Sequence, residues 1–343
     1  MILSDGRLHS SIYTLYNSSN QLVSAIDSQN RTVSIDYADP SCSGCTTISY
    51  PGTAGATRVI HVYSSPLASV LRPGFSIQPY RALFSQDTSD TGTFNPTVVS
   101  SIQYPDGSQC SFLYDSYAEL SRVTLPTGGA IEYDYGDGNN GSSDGFQLSS
   151  DQTISFVYRR LQERREYSNG TTLSSRTHYT ASYPGSTQTV DTEVTYTGAT
   201  PLSQVVHTMN GTPLDTSAAA AFGCDAQYEG LETRTDYGLG PDLTTMRTYA
   251  TQYQQEDSCF DNPQVQSQTT IYPQTNLQSA ATFSYDEFNN IVDKKEDAFG
   301  SGAPGPLARE TQIAYLWASD GAYGESNYPS TPISRCFPPH KQS

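Results

Sequence analysis

Apolar and polar residues alternate along much of this chain. Ile131-Glu132-Tyr133-Asp134-Tyr135 sets apolar positions two apart with acidic residues between them, the period of a strand with one buried face. Thr153 to Tyr158, Val190 to Tyr196 and Thr282 to Tyr285 behave in the same way. Turn clusters separate these runs: Pro105-Asp106-Gly107, Pro126-Thr127-Gly128-Gly129, Ser168-Asn169-Gly170 and Pro184-Gly185. Asp-Gly and Asn-Gly between alternating runs predict hairpins, because these residues tolerate the positive φ of tight turns. The 3.6-residue period of helices is nearly absent, and only the alanine run Ser217 to Phe222 offers a short helix. The expected fold class is all-β, built from antiparallel hairpins.

The turns recur in register. Tyr16-Asn17-x-x-Asn20-x-Leu22 is followed by Asp27-x-x-Asn30-Arg31 and closes on Tyr37. Tyr114-Asp115-x-x-Ala118-Glu119-Leu120 is followed by Pro126-Thr127-Gly128 and closes on Tyr135; both tyrosine pairs are 21 residues apart. A third copy runs Tyr285-Asp286-x-x-Asn289-Asn290-Ile291, then Asp297-x-x-Gly300, then Tyr315. Its longer span is accounted for by the insert Ser301-Gly-Ala-Pro-Gly-Pro306. Asp5-Gly6-Arg7-Leu8 reads as the tail of a further copy, which makes the chain read as a stretch of a longer protein. In each unit an Asp or Asn bonds the backbone two residues on, and a Gly or Asn takes the left-handed conformation. A Leu or Ile then restarts the strand, pointing inward. One such unit cannot bury its own face, so neighbouring units must stack.

This pattern resembles the YD repeat of the RHS protein family, whose signature is similar to Tyr-Asp-x-x-Gly-Arg-Leu followed by an Asp-x-x-Gly turn. The repeat array is read over residues 1–335, with its clearest units at 5–37, 104–135 and 283–315. The stretch from about 190 to 265 matches poorly and reads as degenerate or inserted, and residues 336–343 read as a disordered tail. The family glycine is replaced by Asn20, Ala118 and Asn289, and the family arginine by Gln21, Glu119 and Asn290. Asn can stand for Gly in a left-handed turn, but Ala118 cannot do so cheaply, so a different turn is expected there. The resemblance implies a β-sheet ribbon stacked into a curved or spiralling partial shell. Such a shell encloses or presents a cargo such as a toxin domain at its C-terminal end or beside it. The alternative is an adhesive or carbohydrate-binding β protein at the cell surface. Either role places the chain outside the cell or on its surface, with no targeting signal in these residues. An open array leaves bare edge strands, so poor solubility in isolation is expected.

Composition supports a thin, wet architecture. Hydrophobic residues make up 35% of the 343 positions, yet 25 are Tyr against 12 Phe and one Trp. Tyrosine buries a ring while its hydroxyl still needs a partner, which suits half-buried strands. The net charge of -17 speaks against nucleic acid, since neutralising phosphates needs clustered Lys and Arg. No run of about 18 apolar residues is present, so no membrane insertion is expected.

Candidate chemistry is sparse. Gly141-Ser142-Ser143-Asp144-Gly145 fits G-x-S-x-G, but that motif needs a strand before it and a helix after it, and here it lies in a Gly/Asn loop. The same loop gathers Asp137, Asn139 and Asp144 without the closing Glu of a calcium loop. Cys42-Ser43-Gly44-Cys45 is a CxxC with no second pair at zinc spacing, read as one local disulfide or two free thiols. The basic run Arg159 to Glu166 is interrupted by Glu163 and reads as cross-strand charge pairing on a solvated face. The five histidines show no ligand or triad spacing. No enzyme, no catalytic residue, no cofactor and no metal are expected.

Overall fold

The computed structural model describes residues 2–4, 11–42, 44–84, 92–137, 146–148, 155–157, 159–182, 188–211, 230–254, 263–286 and 289–315. The opening Asp5–Leu8, the loop with Gly141–Gly145, Asn139 and Asp144, the alanine run 217–222 and the tail 336–343 lie outside the described residues. The fold is all-β and antiparallel, with two compact units whose division falls at Thr177/His178.

In the first unit the strands follow one another as a meander. They are β1 (Ile2–Ser4), β2 (Ser11–Tyr16), β3 (Leu22–Ile26), β4 (Thr32–Asp36), β5 (Cys45–Pro51) and β6 (Thr57–Pro66). They continue with β7 (Thr97–Gln103), β8 (Gln109–Tyr114), β9 (Leu120–Thr124) and β10 (Ala130–Asp137). Two short strands, β11 (Phe146–Leu148) and β12 (Ser155–Val157), stand outside the ribbon, and β13 (Arg159–Tyr167) pairs with β10. The next strand, β14 (Leu173–Ser182), contains the division between the units.

The second unit repeats the plan with β15 (Gln188–Thr197), β16 (Thr200–Asn210), β17 (Glu232–Leu239), β18 (Thr244–Gln254), β19 (Gln264–Tyr272) and β20 (Leu277–Tyr285). It ends with β21 (Ile291–Asp297), β22 (Gly300–Ser301) and β23 (Leu307–Gln312). Each strand pairs antiparallel with its successor, except that β22 pairs back on β20 and β23 pairs with β21. The stretch 190–265, which matches the repeat poorly, carries four regular strands among its described residues.

The repeat turns share one geometry. Tyr16 pairs with Leu22, Tyr114 with Leu120 and Tyr285 with Ile291, each time with a register break just before the tyrosine. Between the paired residues, Asn17, Asp115 and Asp286 donate their N–H to the carbonyls of Gln21, Glu119 and Asn290 at 2.9–3.0 Å. Asn20, Ala118 and Asn289 take φ of 60°, 62° and 67°. This is a type I turn followed by a left-handed residue that forms a bulge. The Asx side chain rigidifies it: Asn17 Oδ1 accepts from Ser19 and Gln21 N–H, and Asp115 Oδ1 from Tyr117 and Glu119 N–H. Asp27 does the same with Gln29 and Arg31, and Asn30 has φ 60°. Gly128 fills the left-handed place after Pro126 at φ 86°.

Two expectations are corrected. Ala118 does not change its turn; it takes the left-handed conformation despite its Cβ. Asp297-x-x-Gly300 forms no such turn. Gly300 lies in β22, where a Cβ would meet the Ala303 carbonyl at 2.6 Å, so this glycine permits close backbone approach and leaves the left-handed place to Gly302 at φ 72°.

The terminal tyrosines act as latches. Tyr37, Tyr114, Tyr285 and Tyr315 donate their hydroxyls to the carbonyls of Leu22, Val99, Val265 and Ile291, at 2.6–3.2 Å. Each acceptor is on the neighbouring strand near the end where the tyrosine sits. Tyr253 makes the same bond to Glu232, a member of the series that the sequence pattern did not single out. Tyr135 instead stacks beside Tyr133 in β10.

Buried apolar side chains occur only in the first unit among the described residues: Cys45, Leu67, Val70, Leu83, Cys110 and Ala130. Three of them belong to a strap between β6 and β7, with a 3₁₀ turn at Leu67–Ser69 and the one-turn helix α1 (Tyr80–Leu83). Leu67 and Leu83 are almost fully buried, each worth about 1.5–3 kcal/mol by removal from water. The strap bonds back to the end of β8: Tyr114 N–H donates to Val70 and Arg72 N–H to Tyr114. The sequence reading missed this element, although the proline spacing 66, 73, 79 and 96 marks it as neither strand nor ordinary turn. Among the described residues, the buried side chains of the second unit are polar: Thr189, Thr235, Thr248 and Gln264. Among the described residues no helix is long and apolar enough to cross a membrane.

Candidate functional site

The densest chemistry sits where the Asp115 turn meets the strap and the first strand after the loop, all within the first unit. Strand β10 alternates Glu132 and Asp134 on one face, and β13 sets Arg165 opposite Glu132 and Glu163 opposite Asp134. Arg165 bonds Glu132 at 3.2 Å, and Asp134 and Glu163 at 2.6 Å each. Arg122 from β9 pairs with Glu132, donates to the Gly170 carbonyl at 2.5 Å and lies 5.3 Å over the Tyr167 ring. Arg72 from the strap pairs with Asp134 and donates to the carbonyls of Ser121 and Tyr133 at 3.2 Å. Burial pushes both carboxyls up, but the Tyr167 hydroxyl with Arg122 and Arg165 at Glu132, and Arg165 with Arg72 at Asp134, hold them below the usual carboxylate range. The basic run is thus paired across strands as expected; Arg165 is only 19% exposed, while Arg164 and Glu166 keep 33% and 42% of their side-chain surface in solvent.

A second cluster centres on Asp115, whose side chain is 3% exposed. Its Oδ1 is used by the turn, and its Oδ2 accepts from Arg159 at 3.4 Å. Arg159 also bonds Glu119 at 2.9 Å and the Tyr135 carbonyl at 3.3 Å, and lies 3.9 Å over the Tyr117 ring. Tyr117 in turn meets Phe84 edge-on, and Phe84 packs with Tyr80 and Phe94 of the strap. Burial, helped by the hydrogen bond and negative charge of Asp115, pushes Glu119 up to about 7 against the pull of Arg159. A carboxyl poised near neutrality is a proton donor or acceptor in principle. Yet its partners are an arginine, an aspartate and a turn backbone, a structural set that secures the strap.

The repeat-defining residues serve local architecture. Tyr16, Asn20 and Leu22 form one bulged turn, and Asp27 and Asn30 the next. Tyr114, Asp115 and Leu120 form the turn that carries the buried acid, and Tyr285, Asp286 and Asn289 its counterpart in the second unit. Of these, Asp115 reaches the charge clusters through its side chain, and Tyr135 through its carbonyl. Arg72 came from no motif, and Arg159, the first residue of the basic run, reaches Glu119 and Asp115 across 40 and 44 residues of chain.

Elsewhere, Cys42 and Cys45 are joined as a disulfide, one of the two states left open by the sequence. Among the described residues they form, with His61, the one group of His, Cys and carboxylate side chains placed to hold a metal ion. In the second unit His207 lies between Glu232 at 2.6 Å and Glu193 at 4.0 Å, an interstrand contact without a nucleophile.

Fold and site together define an antiparallel hairpin-repeat scaffold, stabilised by Asx turns, tyrosine latches and cross-strand ion pairs. No family model matches the chain, and no curated protein matches it. Among solved structures it is similar to the TcdB2-TccC3-TEV crystal structure, at 10% identity over 89% of this chain and 19% of that one, with a TM-score of 0.17. The TcdB2-TccC3-Cdc42 structure gives 12% identity over the same shares and a TM-score of 0.16, so the chain spans about a fifth of either. A porin-like protein from Bacteroides uniformis ATCC 8492 gives 9% identity over 90% of both chains and a TM-score of 0.18. Scores this low fix no common architecture, and the class rests on the strand pairings themselves.

Proposed function

We propose that the chain is a structural segment of an RHS/YD-type β shell, which walls off or presents a cargo domain carried by the same or a neighbouring polypeptide. One observation carries the reading. Every described strand of the second unit belongs to a single antiparallel ribbon, and none of its apolar side chains is buried. A sheet of this kind needs something against its face, whether another turn of shell or a cargo. The YD-like turns, repeated with the same bulge and the same left-handed residue, support the family reading. On this reading the chain acts outside the cell or at its surface, performs no catalysis and needs no cofactor.

Small-angle X-ray scattering on the purified chain tests it. A shell segment gives a broad pair-distance distribution and a radius of gyration well above the roughly 20 Å of a compact globule of this length. A single compact peak near that value would sink the proposal. Carbohydrate binding is the second reading, and it draws on Tyr272 and Phe299, exposed rings 5.5 Å apart in the second unit. A glycan array decides it: signal lost on Tyr272→Ala supports the reading, and no signal removes it.

A further inference from the structure

Cys42 and Cys45 lie at the corner between β4 and β5, opposite a histidine that nothing in the repeat explains. The corner is closely built. Asp39 Oδ1 accepts from the Ser41 N–H and hydroxyl, Cys42 N–H donates to the Asp39 carbonyl, and Cys45 N–H donates to the Cys42 carbonyl. Gly44 takes φ 78° with open space around it, so the chain turns back between the cysteines without strain. Cys45 then opens β5, and strand alternation puts Thr47 on the same face. His61 on β6 is the cross-strand partner of Thr47 and shares that face.

The donor atoms converge. The Sγ of Cys42, the Sγ of Cys45 and a ring nitrogen of His61 all lie within 4.8 Å of one another. Cys45 Sγ is 3.7 Å from His61 Nδ1, close to the sulfur–nitrogen edge of a zinc tetrahedron with bonds of about 2.3 and 2.0 Å. The Thr47 hydroxyl lies 3.3 Å from the same Nδ1 and donates to Asp39 Oδ2 at 2.7 Å. With its proton given to Asp39, that hydroxyl accepts from the Nδ1–H of the ring, a bond that His61 gives up when Nδ1 takes a cation. The Asp39 carboxylate thus accepts from the hydroxyls of both Ser41 and Thr47 beside the cluster. Asp39, Cys42, Cys45 and Ser64 also line a cleft of about 540 Å³.

We propose that Cys42, Cys45 and His61 form a thiolate–imidazole site for one zinc-class divalent cation when the disulfide is reduced, with a fourth position open to the cleft. The bridge and the ion exclude each other, since both use the same sulfurs. A dithiol reductant opens the bridge: two electrons and two protons pass to the cysteine sulfurs, and the reductant leaves as its own disulfide. The cation then displaces both thiol protons and binds the two thiolates with the neutral imidazole. The corner is covalently stapled in oxidising surroundings and metal-stapled in reducing ones. This inference does not rest on the shell reading.

Cobalt(II) titration of the full chain under argon tests it, after reduction with a phosphine that is then removed. The expected result is one equivalent bound, with thiolate-to-cobalt charge transfer and tetrahedral visible bands, both abolished by one equivalent of zinc. The oxidised chain gives neither band. Cys42→Ser removes the charge-transfer signal, and His61→Ala weakens binding by about 100-fold or more. The triple variant Cys224→Ser, Cys259→Ser and Cys336→Ser keeps the signal. Reduced chain with unchanged far-ultraviolet dichroism but no cobalt bands overturns the proposal. So does a signal that survives Cys42→Ser, or one lost with the triple variant.

Discussion

Glu119 offers a direct test of how burial and charge compete in the Asp115 cluster. In the folded chain its carboxyl is raised from the ordinary 4.5 to about 7, chiefly by burial and then by Asp115. A raised carboxyl binds its proton more tightly folded than unfolded. The stability it contributes is full below about pH 4.5 and is lost as the pH climbs through about 7. At about 1.4 kcal/mol per pKa unit the ceiling is about 3 kcal/mol. The side chain retains 26% exposure, and solvent screening brings the expected loss to about 1–2 kcal/mol. Glutamine at this position mimics the protonated acid: its oxygen can accept from Arg159 and its amide can donate to Asp115. Glu119→Gln should therefore match the wild type at pH 4.5–5 and exceed it by about 1–2 kcal/mol at pH 8. The readout is hydrogen exchange by mass spectrometry on peptides spanning β8 and β9, corrected for intrinsic exchange rates, which needs no two-state unfolding of a two-unit chain. Glu132 and Asp134 lose their contributions only at lower pH, because their carboxyls are depressed, so they stay silent in this window. The opposing view is that the ion pair with Arg159 dominates. Breaking it would then destabilise the variant at pH 8, and that outcome would refute the reasoning.

Three further outcomes follow from the same geometry. Ala118 holds φ 62°, so Ala118→Gly should stabilise the β8–β9 turn by about 1 kcal/mol, and a loss of protection in the same exchange experiment would show that no strain is stored there. Tyr114→Phe and Tyr285→Phe each remove one latch to a neighbouring carbonyl and should cost about 0.5–1.5 kcal/mol in local exchange free energy, while exposed Tyr13→Phe costs nothing measurable; equal effects at all three sites contradict the latch. Arg72→Ala leaves two carbonyls and Asp134 without their strap partner and should cost about 2 kcal/mol, seen as proteolysis between Pro66 and Pro96 at protease levels that spare the wild type; unchanged resistance would mean that apolar packing alone holds the strap.

What could be read from the sequence was what five consecutive residues decide among themselves. The Asx side chain, the left-handed residue and the residue that closes the turn are within hydrogen-bond reach of one another, so Tyr16–Leu22, Tyr114–Leu120 and Tyr285–Ile291 declare their turns without reference to the rest of the chain. The strap, the Arg72 and Arg159 contacts and the approach of His61 to the cysteines are decided by residues 16 to 62 positions apart, and nothing in the repeat motif marks them. Gly300 was misplaced for a related reason: its role is set by the Ala303 carbonyl of an inserted loop. The residue four positions after each Asx shows how the local and the distant meet. Asn17 Nδ2 donates to the Gln21 side chain at 2.9 Å, while the side chains of Arg31 and Asn290 donate to Asp27 and Asp286 at 2.6 and 3.1 Å. Glu119 occupies that place after Asp115, where an ionised glutamate can only repel the aspartate it should support. The missing cation arrives from β13 as Arg159, at 3.4 Å from Asp115 and 2.9 Å from Glu119. One substitution within a repeat thus turns a self-contained turn into one that must recruit a distant strand, and that recruitment ties β13 and the strap to an otherwise ordinary hairpin.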